Sequence, residues 1–378
     1  MRLIAVELTR LELELVKGLE TSTGVLASRP VVLVRVVTDA GEGVGECAAL
    51  AAPTYTAEYA DGAEQVLATI LIPRLFAVGD FDGPAGALAA LEVVRGHPIA
   101  KAALEMALLD AEGHERNRSL AASIGARSSS VVAGATIGLA PGTREVLDAV
   151  EAAVEAGYER VKCKIAPGRD VGVLAAVRRE HPGLVLLADA NGSYRLERPD
   201  HRSALRQLDG LGLAALEQPL AAGDLVGHAS LAVELETPVM LDESVPDLHA
   251  LDNALALAAC DAVSLKPARL GGIAAACEAV RRCVAAGVSC TVGGMLETGI
   301  GRAASLAVAA LPGVDLPSEL GASDRYFAED LTAPHVLVAG RLAVPDGPGL
   351  GIELAARVVA AHTVRTRRLA SSGPPGLS

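Results

Sequence analysis

VKCK (161–164), LVLLAD (184–189), LAALE (213–217), TPVMLD (237–242) and DAVSLK (261–266) are five short apolar runs, each closed by an ionisable side chain. Their last residues, Lys164, Asp189, Glu217, Asp242 and Lys266, are separated by 25, 28, 25 and 24 residues. One strand and one returning helix take up about that much chain, so the spacing predicts repeated βα units with a charged residue wherever a strand gives way to its loop. In a parallel barrel those strand ends converge on one face. Two ammonium groups should therefore flank three carboxylates at one mouth.

Working outward, further strands are expected near 132–138, 287–292 and 314–318, giving eight in all. Ala-rich helices are expected between strands near 143–156, 170–181, 247–259 and 272–286. Ahead of this α/β segment the pattern differs. Residues 1–38 read as two strands around a mobile loop at 18–30, GEGVGE (41–46) as a Gly-rich turn, and 56–78, 83–95 and 97–115 as helices. The organisation is an α+β domain over 1–125, a barrel over 126–325, and a final segment, 326–378, that returns to the first domain. Residues 326–345 should be extended, and ArgThrArgArg (365–368) should be a solvated tail.

Composition narrows the function. A net charge of −13, with no basic block except ArgThrArgArg (365–368), argues against a nucleic-acid partner. No apolar stretch is long enough to span a membrane and no leader block opens the chain, so a soluble, cytoplasmic protein is expected. The six cysteines form no CxxC pair, which disfavours zinc. Aromatic residues make up only 2%, so a substrate pocket must be walled by aliphatic side chains. Only five of the 33 basic residues are lysines, and three of those, Lys162, Lys164 and Lys266, lie in the periodic block. Lysine can release a proton near neutral pH where arginine cannot.

Carboxylates on three successive strand ends supply hard oxygen ligands, a set suited to Mg2+ or Mn2+; without a cation they would repel one another. Lys162 and Lys164 share one face of a strand, so both should point inward while Cys163 faces the helices. Lys164, nearer the mouth, is the candidate base, and Lys162 the neighbouring charge that disfavours its protonated form. Lys266, four strands round the barrel, would face the opposite side of a substrate. This combination fits α-proton abstraction from a small carboxylate, because the negative charge that accumulates on the carboxylate oxygens can be offset there. A Schiff-base aldolase is the rival from another mechanistic class. Arg269 is read either as acting on Lys266 or the substrate, or as a loop salt bridge. Gly294, Met295 and Leu296 in GGMLETG (293–299) should wall the ligand site. His97, His114 and His228 are expected at the surface.

VKCK, DAN (189–191), LEQP (216–219), LDES (241–244), LKPARLGG (265–272), GGMLETGIGR (293–302) and KAALEMALLD (101–110) together resemble the o-succinylbenzoate synthase and N-acylamino acid racemase family, in the muconate-lactonising branch of the enolase superfamily. The resemblance covers nearly the whole chain. It implies a modified (β/α)7β barrel of TIM type under an α+β capping domain, and Mg2+ or Mn2+ held by Asp189, Glu217 and Asp242. It implies Lys164 and Lys266 as the acid/base pair, with Asn191 and Glu243 in support. The activity implied first is dehydration of 2-succinyl-6-hydroxy-2,4-cyclohexadiene-1-carboxylate to o-succinylbenzoate, in menaquinone biosynthesis. N-Succinylamino acid racemisation is the alternative, alone or alongside it. Dipeptide epimerisation is disfavoured because GGMLETGIGR follows the acyl-group pattern. SCTVGGM (289–295) lacks the histidine of mandelate-racemase-like members, and Leu19 and Thr23 stand where aromatic residues are expected in the racemase group. A symmetric homo-oligomer is also implied.

Overall fold

The computed structural model describes residues 1–21 and 24–371, and their side chains outside 19–26. Strands β1 (Leu3–Thr21) and β2 (Gly24–Thr38) form a long antiparallel hairpin, and β3 (Gly41–Cys47) pairs with β2. The segment expected to be a mobile loop at 18–30 is thus mostly strand; the expectation attached to Leu19 and Thr23 lies outside the described side chains. GEGVGE is likewise strand and not turn. Its glycines serve close packing: a Cβ on Gly43 would lie 2.1 Å from the Ala107 carbonyl oxygen, and one on Gly45 2.2 Å from that of Ala103. The sheet therefore rests directly on the helix Pro98–Glu115, which with Gly83–Leu91 and the continuous run from Ala60 to Val78 completes an α+β domain. Leu8, Val34 and Val36 of the sheet share one core with Leu71 and Leu104 of the helices.

The chain then makes a short strand, β4 (Ser130–Val132), and one parallel sheet in sequence order: β5 (Gly134–Ile137), β6 (Arg160–Lys164), β7 (Val185–Asp189), β8 (Ala215–Glu217), β9 (Val239–Leu241), β10 (Ala262–Leu265) and β11 (Ser289–Val292). Helices such as Thr143–Glu155, Val171–Glu180, Leu248–Ala256 and Ile273–Ala286 return the chain between strands. Their apolar positions recur every three or four residues, as in Val146, Leu147, Val150 and Ala153, all buried against the sheet.

No regular strand forms at 314–318. The segment nevertheless closes the ring. Leu316 and Glu319 donate their amides to the carbonyls of Cys290 (3.2 Å) and Val292 (2.8 Å), while Ser318 donates to Val132 (3.0 Å) and Leu320 accepts from Gly134 (3.3 Å). Pro317 has no N–H to offer, which interrupts the ladder on this seam. The result is the modified (β/α)7β barrel with an α+β cap.

Two further segments differ from expectation. Residues 326–345 are extended only in the hairpin β12 (Leu337–Val338) and β13 (Arg341–Ala343), which adds to β4. ArgThrArgArg is not a tail: it lies in β14 (Thr363–Ala370), antiparallel to β1, with Arg365 ion-paired to Glu64 at 2.6 Å. Among the described residues no helix is long and apolar enough to cross a membrane.

Glu105 joins cap to barrel. From the helix Pro98–Glu115 its buried carboxylate accepts the amides of Ile273 and Ala274 (3.0 Å) at the start of the helix Ile273–Ala286. Burial outweighs those two bonds and pushes the carboxyl up to about 7. Because the folded state then binds the proton more tightly than the unfolded chain, with its ordinary glutamate value near 4.3, this group's contribution is complete at acid pH and is lost as pH rises through about 7. In Glu105→Gln, denaturation midpoints measured between pH 5 and pH 8 should lack this downward component.

Candidate active site

The mouth of the barrel is set by strand polarity. Lys164, Asp189 and Glu217 are the last residues of β6, β7 and β8, adjacent in register, and Asp242 and Lys266 directly follow β9 and β10. All five strands run parallel, so all five side chains issue at one end. Asp189, Glu217 and Asp242 are each at most 1% exposed. Cys163, between the lysines, is buried on the helix side.

Lys162 is the deepest cation. Its Nζ donates to both oxygens of Glu217 (2.9 Å each) and to Glu319 (2.8 Å), and lies 3.2 Å from Asp189. Arg160, on the same face two residues earlier, donates to the other Glu319 oxygen at 2.8 Å. Burial alone would make Lys162 give up its proton, but Asp189, Glu217 and Glu319 outweigh it and keep the ammonium charged. Its role is a fixed positive charge.

Lys164 and Lys266 stand in matching environments. Lys164 donates to Asp189 at 3.0 Å and to the Asn191 side-chain oxygen, and the Asn191 amide in turn donates to Glu243 at 2.9 Å. Lys266 donates to Asp242 at 2.7 Å and to the Tyr55 hydroxyl at 2.6 Å. Each lysine thus has one carboxylate and one neutral oxygen. Tyr55 offers its own proton to Asp242, with oxygens 3.0 and 3.1 Å away. Burial keeps that phenol protonated far above its usual range. Arg269 is bonded to Asp242 and Tyr55 and to the Ser264 carbonyl at 3.2 Å; it resolves as a buried ion pair that braces Asp242.

The acids divide. Burial pushes Asp189 and Asp242 upward, but Lys162 and Lys164 at the first and Arg269 and Lys266 at the second hold both below the carboxylate range. Glu217 goes the other way, because burial and Glu319 at its side exceed the pull of Lys162. Glu217 and Glu319 face the same ammonium, and of the two Glu217 is the one displaced upward while Glu319 is held low by Lys162 and Arg160. Among the described residues no three acidic, His or Cys side chains converge as a ready-made metal cage, since each carboxylate is turned to an ammonium or guanidinium group. The donor chemistry fits a hard divalent cation all the same: three buried carboxylates issue from adjacent strand positions at one end of the barrel, a hard oxygen set without His or Cys.

Lys162, Lys164, Asp189, Asn191, Asp242 and Lys266 line a cavity of about 430 Å³; Glu217, Arg160 and Arg269 lie behind this lining. Gly294, Met295 and Leu296 line it. Several of its residues escaped the sequence reading. Tyr55, Leu50 and Thr54 come from the cap, and Glu319, Arg302 and Tyr326 from the barrel's far side. Glu319 was within reach of the rule that found the others, since it directly follows the run 314–318. Nothing in the sequence ties Tyr55 to a strand 211 residues away. His228 is a correction: it is buried, takes the Leu220 amide at Nε2 (3.2 Å), and pins the LEQP turn instead of lying at the surface.

Fold and mouth together define a barrel enzyme whose cap helps to wall the site. The enolase C-terminal domain-like family matches residues 145–358, and the mandelate racemase/muconate lactonizing enzyme N-terminal domain matches 5–125. The chain belongs to the enolase superfamily. It is 45% identical to an N-succinylamino acid racemase of Amycolatopsis over 353 residues, 93% of this chain and 95% of that one. It is 36% identical to an o-succinylbenzoate synthase of Listeria innocua over 360 residues, 95% of each. A solved enolase superfamily member from Listeria innocua superposes with a TM-score of 0.93 at 35% identity, over 98% of this chain and all of that one.

Replacing Lys162 by Met should leave Glu217 and Glu319 facing each other without their shared cation, a loss of about 3–5 kcal/mol. A denaturation midpoint that does not move would contradict the structural weight given to this ammonium.

Proposed function

We propose that this enzyme removes and returns the α-proton of N-succinylamino acids, racemising them, with Lys164 and Lys266 as the two acid/base groups. The observation that carries this reading is the equivalence of the lysines: both reach one cavity from strands four apart, and each is oriented by a carboxylate and a neutral oxygen. A racemase needs such a pair, because the proton leaves one face of the α-carbon and arrives at the other. The relative at 45% identity named N-succinylamino acid racemase supports it.

In this reading Asn191 and Asp189 hold the Lys164 ammonium, and Tyr55 and Asp242 hold that of Lys266, so that each nitrogen is aimed into the cavity. Lys162 keeps its proton and contributes charge alone. Asp189, Glu217 and Asp242 would hold Mg2+ or Mn2+, which when bound offsets the negative charge gathering on the substrate carboxylate. Met295 and Leu296 exclude water from the acyl side, and Leu50 extends that wall from the cap.

Dehydration to o-succinylbenzoate is the second reading, supported by the o-succinylbenzoate synthase names of relatives that cover 92–95% of this chain at 36–37% identity. There Lys164 takes the proton and Lys266 remains a cation. The two readings separate in D2O with Mg2+ present. Under racemisation, Lys164→Ala should stop deuterium entry from one enantiomer of an N-succinylamino acid and Lys266→Ala from the other, each by at least about 100-fold. Exchange lost for both enantiomers in Lys164→Ala and kept in Lys266→Ala would assign a single base and favour the synthase.

A further inference from the structure

Arg29 is among the largest fully buried side chains of the described residues, and its hydrogen bonds all go to backbone carbonyls, with Glu46 and Glu297 acting on it only from longer range. It sits in β2 of the cap, and its guanidinium is spent on backbone carbonyls. Nη1 donates to Pro30 (2.6 Å) and Ala49 (2.8 Å), Nη2 to Ala48 (2.6 Å) and Met295 (3.4 Å), and Nε to Leu296 (3.2 Å). Two of these acceptors lie just ahead of Leu50, Thr54 and Tyr55, the cap's share of the cavity wall; two belong to Met295 and Leu296, the barrel's share. One planar fork therefore fastens both walls to each other.

Leu296 adds a second observation. Its φ of 58° places a non-glycine residue in the left-handed region, a conformation that persists only when the surroundings impose it. The Arg29 bond to its carbonyl is one such constraint. Burial lowers the guanidinium from its usual range, and Glu46 and Glu297 oppose that only in part, from longer range; Glu46 in turn accepts the Thr298 and Gly301 amides at the start of the helix Gly299–Ala309. Lysine cannot substitute here, since three tetrahedral N–H bonds from one nitrogen do not reach acceptors arrayed around a plane.

We infer that Arg29 is a positioning residue for substrate specificity: by clamping the segment 48–50 of the cap to 295–296 of the barrel, it fixes the width of the pocket that receives the acyl chain. This rests on the reading above in one respect, that an N-acyl group occupies that wall.

The test compares wild type with Arg29→Lys and Arg29→Met, using N-acetyl, N-butanoyl and N-succinyl derivatives of one amino acid. In both variants KM for the preferred acyl group should rise about tenfold or more and the spread of kcat/KM across the three should shrink, while kcat on the preferred substrate stays within about threefold and its pH profile is unmoved. Arg29→Lys should not rescue, because it keeps the charge and loses the fork. Equal loss of kcat for every acyl group, or an unaltered ranking, would overturn the inference. A measurement on unmodified protein covers the event that neither variant folds: hydrogen exchange at residues 48–50 and 295–297 should show one shared protection. Independent opening of the two segments would refute the clamp. Absence of turnover with any N-acylamino acid in the wild type would count against the racemase reading instead, and the exchange measurement would still decide Arg29.

Discussion

Negative charges crowded into a dry pocket demand positive charge between them, and the mouth of this barrel is organised around that demand. At an effective dielectric near 20, two like charges about 4 Å apart cost roughly 4 kcal/mol. Asp189, Glu217 and Glu319 all border Lys162, which is why this lysine lies deepest and why Arg160 sits beneath it. The pleat of β6 sets the division of labour. Arg160, Lys162 and Lys164 occupy alternate positions on one face, so the chain stacks three cations inward from the bottom of the strand to its top. Only the topmost, Lys164, is not fully buried. The fully buried ammonium and the one at the mouth are thus separated by two residues of strand.

The cap is equally part of the site. Tyr55 reaches from it to Asp242 and Lys266, Glu105 anchors it to a barrel helix, and Glu46 holds the start of another. These contacts are polar and buried, so they depend on direction as well as proximity. A barrel carrying the same lysines and acids without such a lid would have the reacting groups but no fixed wall opposite them.

How much of this could be read from the chain varies with the physics involved. The five charged strand ends were legible because strand polarity, the two-residue pleat and the βα period act locally, and Lys164 through Lys266 obey all three. Glu319 was one residue past the expected run, on a seam where Pro317 breaks the ladder that would have marked it. GEGVGE misled because glycine signals a turn by its backbone freedom, whereas here it is demanded by a helix pressed against the sheet at Ala103 and Ala107. His228 sits on a helix of weak amphipathic character, and its burial follows from a bond to Leu220 that no periodicity encodes. Tyr55 and Arg29 act across the cap and barrel, over more than 200 residues of sequence, and distance of that kind leaves no local trace.

The arginines of β14 have an effect that reaches beyond the fold itself. This strand shields the flank of β1, a long hairpin member that would otherwise present its unpaired amides and carbonyls to solvent. In doing so β14 becomes the new border of the sheet, with nearly every side chain exposed. Arg367 and Arg368 place positive charge on that border, the kind of edge residue that discourages strand-to-strand pairing between molecules. A basic run expected to be a solvated tail thus stands in three dimensions as the charged border of a sheet.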